Sequence, residues 1–250
     1  MRFLEAGKGW PVVLLHAFPL SADMWRPQLD RVPDGWRFIA PEMTDLPPAG
    51  GAAIDDYARG VLALLDELRI DTAVIGGLSM GGYVTFAMFR LAPERFTGLV
   101  LADTRADADT PEGREGRQRM RQLLADQGPG AVADQLLPRL LSERAHGGDT
   151  ALGRSVRALI EAQPPAAIDA ALRALMTRPD SSVLLPRITC PALVLVGEQD
   201  AITPPDVAAD LQARLPRSTL AVISGAGHLS SLEAPEPFSK VLEDFLRAHL

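Results

Sequence analysis

The chain has 250 residues, 47% of them hydrophobic and 23% charged, with a formal net charge of −7. That length suits one α/β domain burying roughly 70–75% of its unfolded surface and leaves little room for a second. The acidic balance disfavours a nucleic-acid partner, which needs a basic face, and no apolar stretch approaches the roughly 18 to 20 residues that cross a bilayer.

The N-terminus, from Met1 to Gly7, has no long apolar signal region, so the expected location is the cytoplasm, with no membrane partner. In chain order, apolar β-like runs fall at residues 12–15, 37–40, 73–76, 98–102, 192–196 and 219–223, with helical stretches between them. Apolar runs alternating with helices predict a mainly parallel, doubly wound sheet of the α/β class. The stripe Ile54, Tyr57, Val61, Leu65 and Leu68 predicts a helix, with Asp55 and Asp56 in the first turn, where the helix dipole favours negative charge.

From about residue 105 to 186 the β-like runs stop. Helical segments follow one another, broken at Gly128-Pro129, at His146-Gly147-Gly148 and at Pro164-Pro165. This predicts a helical insertion, a cap over residues 105–186, within a core built from 1–104 and 187–250. Its Leu- and Met-rich faces, among them Met120, Leu123, Leu124, Leu136, Leu140 and Met176, must bury against something. Met120, Leu136, Leu140 and Met176 are the expected pocket residues. The segment holds one histidine and no aromatic residue, so its lining is expected to be aliphatic, with few polar anchors. Arg114, Arg117, Arg119 and Arg121 read as a solvated face. Further on, Thr203-Pro204-Pro205-Asp206 predicts a helix start with Thr203 as N-cap. The last helix turns Phe238, Val241, Leu242 and Phe245 inward. The single cysteine, Cys190, excludes an internal disulfide and a multi-thiolate metal site, and reads as a small buried apolar residue.

The chemistry gathers at the ends of the apolar runs. Gly77-Leu78-Ser79-Met80-Gly81 lies between the run 73–76 and the helical stretch 82–91, the strand, sharp turn and helix that a G-x-S-x-G nucleophile elbow requires. A nucleophile on so tight a turn takes strained backbone angles, so its neighbours must be small. An acid and then a histidine are expected downstream, and Asp200 and His228 each follow an apolar run. Asp103, at the end of another run, is the rival acid. Upstream, His16-Ala17-Phe18-Pro19 ends the first run, at a junction that can donate a backbone N–H to a developing oxyanion.

Taken together these segments resemble the α/β-hydrolase superfamily, in its compact esterase, lactonase and perhydrolase branch with a helical cap. The resemblance runs from about Gly9 to the C-terminus. It implies Ser79 as nucleophile, His228 as base, Asp200 as its orienting acid, the N–H groups of Phe18 and Met80 as the oxyanion hole, and His16 as a structural support for that loop. It also implies a small ester or lactone as substrate and no metal or organic cofactor. The chain departs from the family pattern twice. Ala17 stands where a glycine is usual, and Glu42 to Gly51 replaces an Asp-x-Arg-Gly-x-Gly segment. The expected activity is cleavage of small, largely apolar carboxylic esters through an acyl-enzyme, with short and medium acyl groups preferred to charged ones. A lactonase resembling 3-oxoadipate enol-lactone hydrolases would be marked by a cationic pocket for a substrate carboxylate. A cofactor-free perhydrolase and a slow-turnover ligand sensor are the other readings.

Overall fold

The computed structural model describes residues 1–45, 53–146 and 150–249. Among them, seven strands form one sheet: β1 (Phe3–Gly7), β2 (Trp10–Leu15), β3 (Trp36–Pro41), β4 (Ala73–Leu78), β5 (Phe96–Ala102), β6 (Ala192–Gly197) and β7 (Ser218–Ile223), in the order 1-3-2-4-5-6-7. The helices are α1 (Arg26–Leu29), α2 (Ile54–Glu67), α3 (Met80–Leu91), α4 (Pro111–Leu140), α5 (Glu143–His146), α6 (Ala151–Glu161), α7 (Pro165–Met176), α8 (Pro205–Ala213), α9 (Ser230–Glu233) and α10 (Pro235–His249).

All six predicted runs are strands, and β2 through β7 pair in parallel. The central strands β4 and β6 are buried along their whole length, so they read as unbroken apolar runs rather than alternating ones. The sequence reading missed β1. It is an edge strand with a mixed burial pattern, and it becomes a strand by antiparallel pairing with β3, from Phe3 opposite Pro41 to Gly7 opposite Arg37.

Register sets the site. Leu15 pairs with Gly77, Leu78 with Ala102, Ala102 with Leu195 and Gly197 with Ile223. The carboxyl ends of these strands therefore lie along one edge, and the loops carrying Phe18, Ser79, Asp103, Asp200 and His228 leave from it. Strand order reverses at β2, which has β3 on one side and β4 on the other, the kind of switch point where open α/β sheets form a ligand crevice.

Between β5 and β6 the described chain is helical. α4 is interrupted at Gly128 (φ 78°, ψ −175°), and α7 begins at Pro165 after an N-cap at Pro164, so two of the predicted breaks fall where expected. At the third, His146 ends α5 while Gly147 and Gly148 lie outside the described residues, as does the stretch 46–51. The predicted N-cap of α8 is corrected: Pro204 holds that position, and the Thr203 hydroxyl donates to Asp200 instead. Cys190 is half-buried at the approach to β6, and burial raises its thiol above the ordinary range.

Candidate active site

Ser79 joins β4 to α3 with φ 55° and ψ −112°, a left-handed conformation that costs a non-glycine residue of order 1–3 kcal/mol. Glycine is required beside it. A Cβ on Gly81 would lie 2.2 Å from the Leu15 carbonyl oxygen, and one on Gly77 would lie 2.4 Å from the Gly81 carbonyl carbon. These close approaches press the start of α3 against the sheet and lift the serine hydroxyl above it.

His228 lies 2.8 Å from Ser79 through Nε2 and 2.8 Å from Asp200 Oδ2 through Nδ1. The ring is 1% exposed. Asp200 is closely held. Its Oδ1 accepts the N–H groups of Ile202 (2.8 Å) and Thr203 (2.9 Å), and its Oδ2 accepts the Thr203 hydroxyl (2.7 Å). Burial pushes this carboxyl up, but the contact with His228 and the Thr203 bonds outweigh it and hold the group below the usual carboxylate range. With the acid ionised, Nδ1 carries the proton toward it, and Nε2 is left as an acceptor facing the serine.

Asp103 behaves in the opposite way. It is fully buried, its Oδ1 accepts the Gly197 N–H at 2.8 Å, and its Oδ2 accepts the Ser230 hydroxyl at 2.5 Å. Burial first, and the charge of Asp200 second, raise its carboxyl well above the ordinary value. Among the described residues this rival acid makes no hydrogen bond to the imidazole, whose Nδ1 faces Asp200. It braces the strand end before Asp200 and the helix start after His228.

The N–H groups of Phe18 and Met80 donate to no protein atom among the described residues. His16 supports the Phe18 loop: with Nδ1 protonated, it donates to the Ala17 carbonyl (3.1 Å) and accepts the Met43 N–H through Nε2 (3.0 Å). The Ala17 N–H points at the Met24 sulfur, 3.1 Å away, and Ala17 is buried without a positive φ, so an alanine is accommodated where the family usually has glycine.

Above the serine is a cleft of about 490 Å³, lined by Ser79, His228, Phe18, Met80 and Tyr83 from the sheet side and by Met120, Leu136 and Leu140 from α4. Met176 is the exception among the expected pocket residues. It lies off the wall, half-buried at the end of α7, while Leu175 and Arg178 face the cleft. One residue further along a helix turns a side chain by about 100°, which separates Met176 from its neighbour.

The expected scarcity of polar anchors is also corrected, because five arginines and two carboxylates reach this wall. Arg117, read from the sequence as solvated, is among them with its side chain 24% exposed, while Arg119, at the rim, stays 73% exposed as expected. Gly113, Gly116, Arg117 and Met120 recur at helical spacing and share the face of α4 turned to the cleft. Arg117 and Arg178 converge on Asp109, and Arg178 also stacks over Tyr83, 4.3 Å from the ring centre.

A second, narrow apolar slot adjoins the cleft. It shares Phe18 and Met80 with it and is completed by Met43, Tyr57, Ile168 and Ala171. Glu233, which the sequence reading passed over, ties the end of α4 to the loop that carries His228: its carboxylate accepts the Ser142 hydroxyl (2.6 Å) and the N–H of Gly227 (2.8 Å). The Leu229 N–H also donates to the Leu140 carbonyl at 3.0 Å.

A family model of the alpha/beta hydrolase fold matches residues 11–235. The chain belongs to the α/β-hydrolase family. An esterase of Thermogutta terrifontis, solved with malate bound, is 38% identical and superposes with a TM-score of 0.94, covering 100% of this chain and 94% of that one. A pimeloyl-[acyl-carrier protein] methyl ester esterase of Neisseria meningitidis is 30% identical, across 96% of this chain and 93% of its own. 3-Oxoadipate enol-lactonase 2 of Acinetobacter baylyi is 28% identical, across 94% and 88%. The α/β-hydrolase relatives thus include esterases and an enol-lactonase. No helix among the described residues is long and apolar enough to cross a membrane.

Proposed function

We propose that this α/β-hydrolase cleaves small carboxylic esters or lactones through an acyl-enzyme, with Ser79, His228 and Asp200 as its triad. The observation that carries the reading is that one buried imidazole reaches both the Ser79 hydroxyl and the Asp200 carboxylate at 2.8 Å. A serine hydroxyl is a poor nucleophile until a base takes its proton. His228 removes it as Ser79 attacks the carbonyl carbon, and Asp200 holds the Nδ1–H tautomer and stabilises the imidazolium.

The carbonyl oxygen becomes an oxyanion that meets the N–H groups of Phe18 and Met80. Such preorganised donors are worth about 3–4 kcal/mol each at the transition state. The C–O bond then breaks, His228 returns its proton to the leaving alkoxide, and water enters. His228 takes a proton from that water as its oxygen attacks the acyl carbon, the bond to Ser79 Oγ breaks, and the imidazolium returns the proton to Oγ, which releases the acid. A lactone follows the same steps, with the alkoxide staying attached to the acyl chain. Residues 105–186 serve as the cap in this reading, with α4 and α7 closing the cleft over the serine and the Glu233 tie keeping cap and base loop in register.

Steady turnover of p-nitrophenyl acetate by the wild type, lost in Ser79→Ala, is the test. A burst of one equivalent without further release would favour the slow-turnover ligand sensor instead.

A further inference from the structure

We infer that the cleft selects substrates that carry a carboxylate, recognised by Arg105 and Arg139; this rests on the ester-hydrolase reading and specifies its substrate class. Five arginines against two carboxylates line a cleft in a chain whose net charge is −7. The charge of this wall opposes that of the molecule and attracts an anion locally, although Arg119 faces Glu115 at 3.8 Å.

The two acids do not cancel it. Asp109 is consumed by Arg117 on one side and Arg178 on the other. Glu112 is exposed on the first turn of α4, where its own N–H and the Thr110 hydroxyl hold its carboxyl low. Arg105 and Arg139 pair with no carboxylate among the described residues. Arg105 donates through Nη2 to the Ile202 carbonyl, which fixes its plane and leaves the remaining N–H groups for a ligand.

Both arginines are mounted on the catalytic frame. Arg105 follows Thr104, whose hydroxyl donates to the Ser79 carbonyl at 2.9 Å. Arg139 precedes Leu140, whose carbonyl accepts the N–H of Leu229, the residue after His228. The narrow slot on the other side of Phe18 and Met80 has no Asp, Glu, Lys or Arg in its lining. An ester lying across Ser79 thus places a small alkyl group in the slot and its anionic end in the cleft. Half-esters of short dicarboxylic acids, and lactones bearing a free carboxylate, fit this division.

The test compares monomethyl with dimethyl glutarate, as kcat/KM per ester group, in the wild type and in the double variant Arg105→Gln, Arg139→Gln. The wild type should favour the half-ester by about tenfold or more, the scale of one charge-assisted contact. That ratio should fall toward one in the double variant, and shrink between about 0.02 and 0.5 M salt. A wild-type ratio of one or below, or a ratio that the two substitutions leave unchanged, would overturn the inference. Calorimetry with Ser79→Ala gives a readout free of turnover. Glutarate should bind, and bind at least about tenfold more weakly once both arginines are removed. No binding, or inorganic phosphate binding more tightly than glutarate, would defeat a carboxylate site. If the wild type hydrolyses no ester at all, the triad reading fails, and calorimetry alone decides the carboxylate site.

Discussion

Asp103 and Asp200 follow the paired strands β5 and β6 as two buried carboxyls with opposite titration: Asp103 is raised by burial and by the charge of Asp200, while the His228 contact and the Thr203 bonds hold Asp200 low. Of the two, Asp200 is the one in contact with His228, and in the proposed reading it serves the imidazolium. Asp200→Asn should lower kcat by about 10⁴, because an amide favours the wrong imidazole tautomer. Asp103→Asn should cost less than about tenfold, since an amide resembles a protonated carboxyl: its oxygen can accept the Gly197 N–H, and its NH2 can donate to the Ser230 hydroxyl, which then turns its own proton elsewhere. Steady-state kinetics of the two purified variants decide it, and a larger loss in Asp103→Asn would reverse the assignment.

Ser79→Ala should lower kcat by a factor on the order of 10⁵–10⁶, as when one member of a cooperative triad is removed. A serine-directed organophosphonate should add once to the wild type and not to the variant. Mass spectrometry locating the adduct elsewhere would show that another nucleophile does the work.

The same pair of acids sets a pH signature in stability. Asp200, with its folded value depressed, contributes stability that is present above the ordinary carboxylate range of about 4 and is lost as pH falls through the folded value. Asp103 has the reverse sign. Its folded form keeps a proton that the unfolded chain has released, so stability declines as pH rises from about 4 through its raised value. Asp103→Asn removes that second dependence. The Tm of the variant minus that of the wild type should grow as pH goes from 4 to 8, and a difference constant with pH would mean that Asp103 is ionised in the fold.

Met120 and Leu140 are buried residues on the cleft wall, so Met120→Trp or Leu140→Trp should shift kcat/KM toward shorter acyl groups among neutral esters. Each buried methylene is worth at most about 0.8 kcal/mol until the space is full. The profile from acetate to decanoate checks this, with Tm measured alongside because overpacking costs about 1–3 kcal/mol. A profile unchanged by both substitutions would mean that α4 does not bound the acyl chain.

Much of this arrangement is legible from local sequence, for a physical reason in each case. Strands buried on both faces of a parallel sheet must be apolar at every position, as in Ala73–Leu78 and Ala192–Gly197. A serine at φ 55° needs small neighbours, and Gly77 and Gly81 supply them. Polar residues just beyond such runs lie at one edge because register aligns the strand ends. Ser79, Asp200 and His228 could therefore be singled out without coordinates.

Other features depend on partners distant in the chain. Phe3–Gly7 becomes a strand only by pairing with β3. Glu233 acquires a role only because Ser142, 91 residues earlier, folds back against it. Thr203 has the spacing of an N-cap, yet the helix begins one residue later, after Pro204, and the hydroxyl donates instead to the buried Asp200 carboxylate. The charge of the cleft is the largest case. The α4 arginines have the composition of a solvated face, which Arg119 keeps, and only the packing of α4 against α6 and α7 brings Arg117 and Arg139 to the cleft that holds Ser79 and leaves Arg139 with no acid to pair with among the described residues. Periodicity tells which side chains share a face of a helix, but the surface that face meets is chosen by the whole fold.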